Sequence, residues 1–454
     1  MNNKFYTLSL PEDMLANLRA IGYEQMTQIQ ALSLPHLLQN KDVLAQAKTG
    51  SGKTAAFGIA ILQHLNSKKL NIQSLILCPT RELATQTATQ LRILARYKQN
   101  IKILTLCGGG AFWPQANSLK HGAHIIVATP GRILKHLNKQ TCNFNTLNTL
   151  VLDEADRMLD MGFYDDVEKI ISFLPTKRQT LLFSATFTQE VKEISSKICN
   201  NAIHIEAPVS KEINKMQEIF FEIEDTNKDD ALIHLLGHYQ PKNVLIFCNT
   251  KIQTDATAKL CQDNNIDALA IHGDLEQYTR DDVLVQFSNN SLRALVATDV
   301  AARGLDIKEL AMVINYDLPF DSKTYTHRIG RTARAASEGI ACTLYKQSDD
   351  ISMYNNTNIA FLHVNTLDKP SNFKMKPLYK TIVIEGGKKN KLRAGDILGA
   401  LTANTKLGRD DIGKIYVYDR QSYVAIQTNK TDEAFKQLKH NKIKAKKFSI
   451  WLLD

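Results

Sequence analysis

An α/β fold is predicted, with two parallel-sheet domains in tandem followed by a small ferredoxin-like βαββαβ unit. Two observations carry this expectation: short apolar, β-branched runs alternate with helical patterns, and the whole alternation occurs twice. A third is the change of both pattern and charge near residue 374. A chain of 454 residues exceeds one ordinary hydrophobic core and accommodates roughly three domains.

The first series comprises DVLAQA (42–47), SLILCPT (74–80), IKILTLC (101–107), HIIVATP (124–130), LNTLVLD (147–153) and QTLLFSAT (179–186). Continuous apolar runs of this kind suit strands covered on both faces. The second series comprises NVLIFCNT (243–250), DALAIHG (267–273), RALVATD (293–299), MVINYDL (312–318) and GIACTLY (339–345). Domains are accordingly expected over 1–208 and 215–366, with a hinge in the polar stretch from Val209 to Lys215 and a cleft between the sheets. KPSNFKMKP (369–377), with two prolines and three lysines, is the expected linker to a third unit over 374–454. That unit reads strand (381–386), helix (395–404), strand (412–419), strand (422–428), helix (431–441), strand (446–453). The same order is used by RNA-recognition motifs, and Thr431 ahead of Asp432 and Glu433 is a suitable helix N-cap.

Composition sets aside several classes of protein. Hydrophobic residues at 44% and charged residues at 22% match a folded, soluble chain. The N-terminal MNNKFYTLSLPEDM has no sustained apolar core, and no run of about 18 apolar residues is free of charge, so neither secretion nor membrane insertion is expected. Seven cysteines lie scattered without a CxxC pair, so reduced thiols in a cytoplasmic protein are expected, and no structural metal. Cys78, Cys107 and Cys248 stand inside apolar runs and read as core. The net charge is +10, and residues 374–454 hold 18 Lys and Arg against 8 Asp and Glu, which accounts for the whole surplus. A basic surplus confined to one small unit suits a phosphate backbone; a lysine-rich surface that serves solubility would give the same count.

AKTGSGKT (47–54) follows a predicted strand and opens a predicted helix, the setting of a phosphate-binding loop. Gly50 and Gly52 let backbone N–H groups of Ala47, Lys48, Thr49, Gly50, Ser51 and Gly52 close around phosphates. Lys53 reaches the β and γ phosphates, and the Thr54 hydroxyl takes a position on Mg²⁺. Ala47 stands where the first glycine of this pattern is usual. DEAD (153–156) ends an apolar strand, so its carboxylates emerge at the C-terminal edge of the sheet. Asp153 is the expected Mg²⁺ partner and Glu154 the base that orients and deprotonates a water. HRIGRTAR (327–334) supplies arginines for the charge of a phosphoryl transition state, with Arg331 and Arg334 as the fingers.

Together these segments resemble a DEAD-box helicase over residues 1–360, where the chain also carries PTRELA (79–84), GG (108–109), TPGR (129–132), SAT (184–186), FCNT (247–250), QYTR (277–280) and TDVAARGLDI (298–307). The resemblance implies two RecA-like domains, ATP and Mg²⁺ as cofactors, and RNA as the substrate. It implies that Gln30 in GYEQMTQIQ (22–30) reads the adenine edge while Phe5 packs on the ring, and that Asp306 approaches the ribose. It further implies RNA-backbone contacts from Thr80, Arg81, Gly109, Thr129, Arg132, Thr250, Arg280 and Thr298, and a coupling role for Ser184 and Thr186. Met26 and Ala333 depart from the family's usual proline and glycine without removing a charged group.

GDILGAL (395–401), IGKIYV (412–417) and YVAI (423–426) resemble the RNA-binding domain of the DbpA helicases, an RRM-type unit. That resemblance implies targeting to 23S rRNA of the large ribosomal subunit. Its first strand has no aromatic residue, and Tyr423 alone remains of the third strand's usual aromatics, so base stacking on the sheet is expected to be weak. Lys388, Lys389, Lys391 and Arg393 are expected to meet the RNA phosphates instead. A monomer is expected. A general RNA helicase without rRNA specificity, an ATP-gated RNA clamp and a DNA helicase remain as alternatives.

Overall fold

The computed structural model describes residues 3–47, 50–206, 216–223, 228–302, 310–332, 338–354, 359–368, 373–403 and 407–453. The chain divides near residue 211 into two compact units. In the first, β1 (Val43–Gln46), β2 (Ser74–Leu77), β3 (Ile103–Leu106), β4 (Ile125–Ala128), β5 (Thr149–Asp153), β6 (Gln179–Ser184) and β7 (Ile203–Glu206) form one sheet. All its pairings are parallel, in the order β3-β4-β2-β5-β6-β1-β7. Neighbouring residues along each strand enter cores on opposite faces. Val43, Ala45 and Ile76 join Phe57 and Ile61 on one face, while Leu44, Leu75 and Leu77 join Ile133 and Ile194 on the other. Six of the strands are the centres of the predicted runs. β7, with the mixed sequence IHIE, is an addition at the edge.

The second unit contains β8 (Met216–Ile223), β9 (Val244–Phe247), β10 (Ala268–Ile271), β11 (Ala294–Ala297), β12 (Met312–Asn315), β13 (Gly339–Lys346) and β14 (Ile359–His363). These too pair only in parallel, in the order β10-β11-β9-β12-β13-β8-β14. Ranked by position in the chain, both sheets have the order third, fourth, second, fifth, sixth, first, seventh. The two sheets are therefore copies of one plan. They differ after the first-ranked strand: β1 leads into AKTGSGKT, whereas β8 leads into EDTNKDD, which has no glycine. Of these two segments, only the one after β1 has the sequence expected of a phosphate-binding loop.

The last part of the chain forms β15 (Tyr379–Ile384), the helix Ala394–Thr402, β16 (Ile412–Val417), β17 (Ser422–Gln427), the helix Thr431–His440 and β18 (Ile450–Leu452). The four strands pair antiparallel in the order β16-β17-β15-β18. One face, with Ile382, Ile384, Val424 and Ile426, packs on Ile397, Leu401, Ala434 and Leu438 of the two helices. The other face is also covered. Val383 and Tyr423 cluster with Val285 of the helix Gln277–Ser288, and the Tyr423 hydroxyl donates to Asp282 Oδ1 at 2.8 Å. Asn289 Nδ2 donates to Thr381 Oγ1, which donates to Ser291 Oγ, each at 2.9 Å. Lys414 Nζ adds a bond to the Ser288 carbonyl at 2.8 Å.

Residues 373–377 are not a free spacer. Met375 is 1% exposed in the core of the second sheet, where Phe373 packs beside it, and its backbone pairs with Asn265 and Asp267. Two apolar side chains set among lysines and prolines account for this docking. The other half of the expected linker, 369–372, and the expected hinge from Val209 to Lys215 lie outside the described residues. Among the described residues no helix is long and apolar enough to cross a membrane.

Candidate nucleotide and RNA sites

The strand β1 delivers the chain to the C-terminal edge of the first sheet, where Ala47 N donates to the Ser184 carbonyl at 2.9 Å and fixes the loop beside the SAT segment. Gly52, at φ 94°, starts the helix Lys53–His64. A Cβ there would lie 2.5 Å from Gln30 Nε2, so the position has room for glycine alone. Gln30, 1% exposed, donates to the Gly52 carbonyl at 3.0 Å, while its Oε1 accepts from Thr27 N at 2.9 Å. Gln30 and the glycine-rich loop are thus joined in one hydrogen-bonded body. Phe5 keeps 4% of its surface exposed, edge-on to Tyr23, and forms part of the wall beside them rather than a free ring. Lys53 Nζ donates to the Ala47 carbonyl at 3.1 Å, and Thr54 is half-buried in the first helical turn. Lys48 and Thr49 lie outside the described residues.

Facing the loop, β5 ends in Asp153, 2% exposed, and the chain turns through Glu154 at φ 54° and ψ 52° into the helix Ala155–Asp160. A left-handed non-glycine residue costs on the order of 1 kcal/mol or more. Glu154 Oε2 accepts from Arg157 Nη1 at 2.6 Å, with both side chains 4% exposed. Asp156 Oδ2 accepts from the Thr186 amide at 2.9 Å and its hydroxyl at 2.8 Å; Ser184 Oγ accepts from the Asp156 amide and donates to the Thr186 carbonyl. Ser184 and Thr186 are therefore joined to the DEAD turn. Asp156 and Arg157 carry no role predicted from sequence, and their only signal there is their place directly behind Asp153 and Glu154.

Among the described residues, buried Asp153 Oδ1 has no hydrogen-bond partner, and burial raises its carboxyl to about 6 against the opposing charge of Lys53. A carboxyl raised from 3.8 to about 6 binds its proton more tightly in the folded chain. The associated stability is full below its ordinary pKa and is lost as pH rises through about 6. Asp153→Asn, which carries no charge to bury, should therefore raise the Tm of the ligand-free protein at neutral pH and lose that advantage in acid. Calorimetry in the absence of nucleotide checks this; an unchanged or lower Tm at neutral pH would show that Lys53 already offsets the burial.

A second group of predicted residues gathers behind β2, β3 and β4. Thr80 Oγ1 caps the helix Arg81–Leu94 by accepting from Leu83 N at 3.2 Å, and Thr129 stands at the N-cap of Pro130–Asn138. The Arg81 guanidinium lies across Gly109, where a Cβ would meet Nη1 at 2.0 Å. Arg132 Nη2 donates to the Gly110 carbonyl at 2.9 Å. Burial, then the like charge of Arg81, hold the Arg132 guanidinium below its usual range. Two helix N-termini and two converging guanidiniums suit an anionic chain.

In the second unit Thr250 follows β9 as Thr80 follows β2, and caps Lys251–Asp263 by accepting from Gln253 N at 3.1 Å. Thr298 directly follows β11, and Arg280 lies on Gln277–Ser288. Arg331 lines a small depression with Asp299, Ala302 and His327. Arg334 and Asp306, like Ala333, lie outside the described residues. The hub of this unit is a residue to which its motif assigns no separate role. Arg328, 1% exposed, makes a two-pronged pair with Asp299 through Nε and Nη2, each at 2.7 Å, and also donates to Asn249 Oδ1 and the Asp317 carbonyl.

Two copies of one parallel plan, the first with a phosphate loop and buried acids and the second with an arginine hub, define the class of two-lobed RecA-like helicases. Comparison with known families agrees: residues 27–194 match the DEAD/DEAH box helicase family, 227–336 the helicase conserved C-terminal domain, and 381–452 the DbpA RNA binding domain. The ATP-dependent RNA helicase DbpA of Escherichia coli is 47% identical over 99% of both chains, and that of Bacillus subtilis is 36% identical over 98% of both. Saccharomyces cerevisiae Dbp5 bound to RNA and ADP BeF3 superimposes with a TM-score of 0.70 at 29% identity, covering 80% of this chain and 96% of that one. The chain belongs to the DbpA group of DEAD-box ATP-dependent RNA helicases. It is an RNA-dependent ATPase.

Proposed function

We propose that this helicase acts as a cytoplasmic monomer on short duplexes of 23S rRNA during assembly of the large ribosomal subunit, anchored by an RRM-type C-terminal domain over 374–454. The observation that carries the anchoring is the covered sheet face. With Val383 and Tyr423 turned onto Gln277–Ser288 and Thr381 onto Asn289 and Ser291 just after it, that face is closed to bases, and the cationic loop after β15 stays open. Lys388, Lys389, Lys391 and Arg393 are all exposed there. The loop is braced on the neighbouring hairpin: Lys388 N and Lys389 N donate to the Tyr418 and Asp419 carbonyls at 2.8 and 2.9 Å. A rigid loop presenting four cations takes phosphate oxygens without ordering itself on binding.

In the helicase lobes, 1–208 and 215–366, the partnerless Asp153 oxygen and the Thr54 hydroxyl fit a divalent cation, and Mg²⁺ held there would neutralise phosphate charge. Lys53 and the loop amides from Ala47 to Thr54 bind the ATP phosphates, and Gln30 holds the adenine end with Phe5 and Asp306. Glu154 takes the proton of the attacking water, with Arg331 and Arg334 as the arginine fingers. Thr80, Arg81, Gly109, Thr129, Arg132, Thr250, Arg280 and Thr298 hold the RNA backbone, and Ser184 and Thr186 pass the nucleotide state on through Asp156.

The test is ATP turnover with large-subunit rRNA, unrelated RNA, DNA of the same sequence, and none. Selective stimulation by the rRNA is expected. Replacing Lys388, Lys389, Lys391 and Arg393 with alanine should abolish the selectivity and flatten the slope of log affinity against log salt by about 3. Equal stimulation by every RNA would leave a general RNA helicase and end the ribosomal assignment.

A further inference from the structure

We propose that Trp113 is a stacking platform for an unpaired RNA base, placed where the first lobe's phosphate-binding arginines end. The reading rests on the RNA-backbone role proposed for Arg81 and Arg132, and extends it to a base contact that none of the family's motif residues supplies.

Trp113 is 66% exposed, a costly place for an indole unless something covers it in use. It is nevertheless held. It meets Phe112 edge-on at 5.4 Å between centroids, and Phe112 stacks on His136 at 4.3 Å and 19°. His136 Nε2 lies 3.2 Å from Gln115 Oε1, and that same oxygen accepts from Arg132 Nη1 at 3.0 Å. An unbroken chain of contacts thus runs from Arg81 over Gly109, through Arg132, Gln115, His136 and Phe112, to the indole. Burial, with Arg132 and Lys135 adding like charge, lowers His136 to about 4, so the ring under Phe112 is neutral at physiological pH.

The surroundings of the indole match a nucleotide rather than an apolar partner. Lys139 Nζ lies 5.9 Å from the Trp113 ring and 5.6 Å from Phe112, and Lys135 Nζ also lies 5.6 Å from Phe112. Both lysines are exposed. Aromatic faces interleaved with cations, continuous with a phosphate-binding turn, form the arrangement that single strands use: bases stack while lysines follow the backbone. Two exposed lysines over these rings favour an anionic strand over an apolar protein segment. A sequence-tolerant contact also suits an enzyme whose other contacts go to the sugar-phosphate backbone.

Trp113 and Trp451 are the two tryptophans of the chain, so Trp451→Phe leaves Trp113 as the single fluorophore. Titrating the full-length Trp451→Phe protein with a single-stranded oligoribonucleotide in the presence of ADP and beryllium fluoride should quench its emission. Trp113→Ala should raise the RNA concentration for half-maximal ATP turnover by about five-fold or more, with maximal turnover little changed, and Trp113→Phe should restore most of it. An oligomer with abasic sites should bind the wild type and Trp113→Ala alike. Lys139→Ala should instead reduce the salt dependence. RNA-stimulated turnover in the wild type, with neither quenching nor any effect of Trp113→Ala, would overturn the platform and leave the helicase reading intact. Turnover indifferent to RNA in the wild type would overturn both.

Discussion

Glu154→Gln should lower RNA-stimulated ATP turnover by about 10³-fold while ATP and RNA still bind, because an amide keeps the shape and accepts the Arg157 bond but takes no proton from water. The structure makes this substitution unusually clean. Glu154 is 3% exposed and fixed by Arg157 at 2.6 Å, so its replacement has little freedom to rearrange. The carboxamide Oε1 preserves that contact, and the turn at φ 54° does not depend on the side-chain charge. Single-turnover hydrolysis beside equilibrium binding of a fluorescent ATP analogue separates chemistry from affinity. A loss of less than ten-fold would remove Glu154 from the role of base.

The second large effect is on stability. Arg328→Ala should destabilise the second unit by about 3–5 kcal/mol, since deleting one partner leaves the others buried and unpaired. Asp299 loses both prongs, and the Asn249 and Asp317 oxygens lose their donor. Lysine should not rescue the loss, because an ammonium has three donors at one point and cannot replace four bonds spread over a planar fork. The tryptophans again help. With Trp113→Phe as background, urea unfolding followed through Trp451, on β18, reports the unit that contains Arg328. An unchanged midpoint in Arg328→Ala would show that the hub is replaceable, and that the arginine serves RNA or nucleotide contacts alone.

The sequence is most legible where strands are buried on both sides. β1 to β6 and β9 to β13 announce themselves as apolar runs because both faces meet helices. β3 and β10 are edge strands too but keep both ends buried, whereas β7 and β14, at the opposite edges, stay hidden because IHIE and IAFLH leave several side chains exposed. β8 is missed for another reason: MQEIFFEI directly follows a polar stretch, which draws attention to a hinge instead of a strand. In the nucleotide site, the loop and both acids are readable because their spacing is local. Gln30 against Gly52, and Asp156 against Thr186, join segments 22 and 30 residues apart, and such partners emerge only when β1, β5 and β6 lie side by side. Arg328 is the extreme case. Its motif places it among arginines suited to phosphate, while its surroundings make it a strut within the second lobe.

The shared surface between the C-terminal sheet and the helix Gln277–Ser288 bears on how such enzymes can be recombined. An RNA-reading tail joined by a slack tether could be grafted onto any helicase core at no cost to either part. This tail could not. Cut loose, it would present Val383 and Tyr423 to water and strand the Thr381 hydroxyl, and the recipient would need counterparts of Asp282, Val285, Asn289 and Ser291 at matching positions. The helix that receives it also bears Arg280, so a chimera that alters the socket also alters a residue proposed to grip RNA. Address and motor are inherited together, and a transplant must carry both halves of the joint.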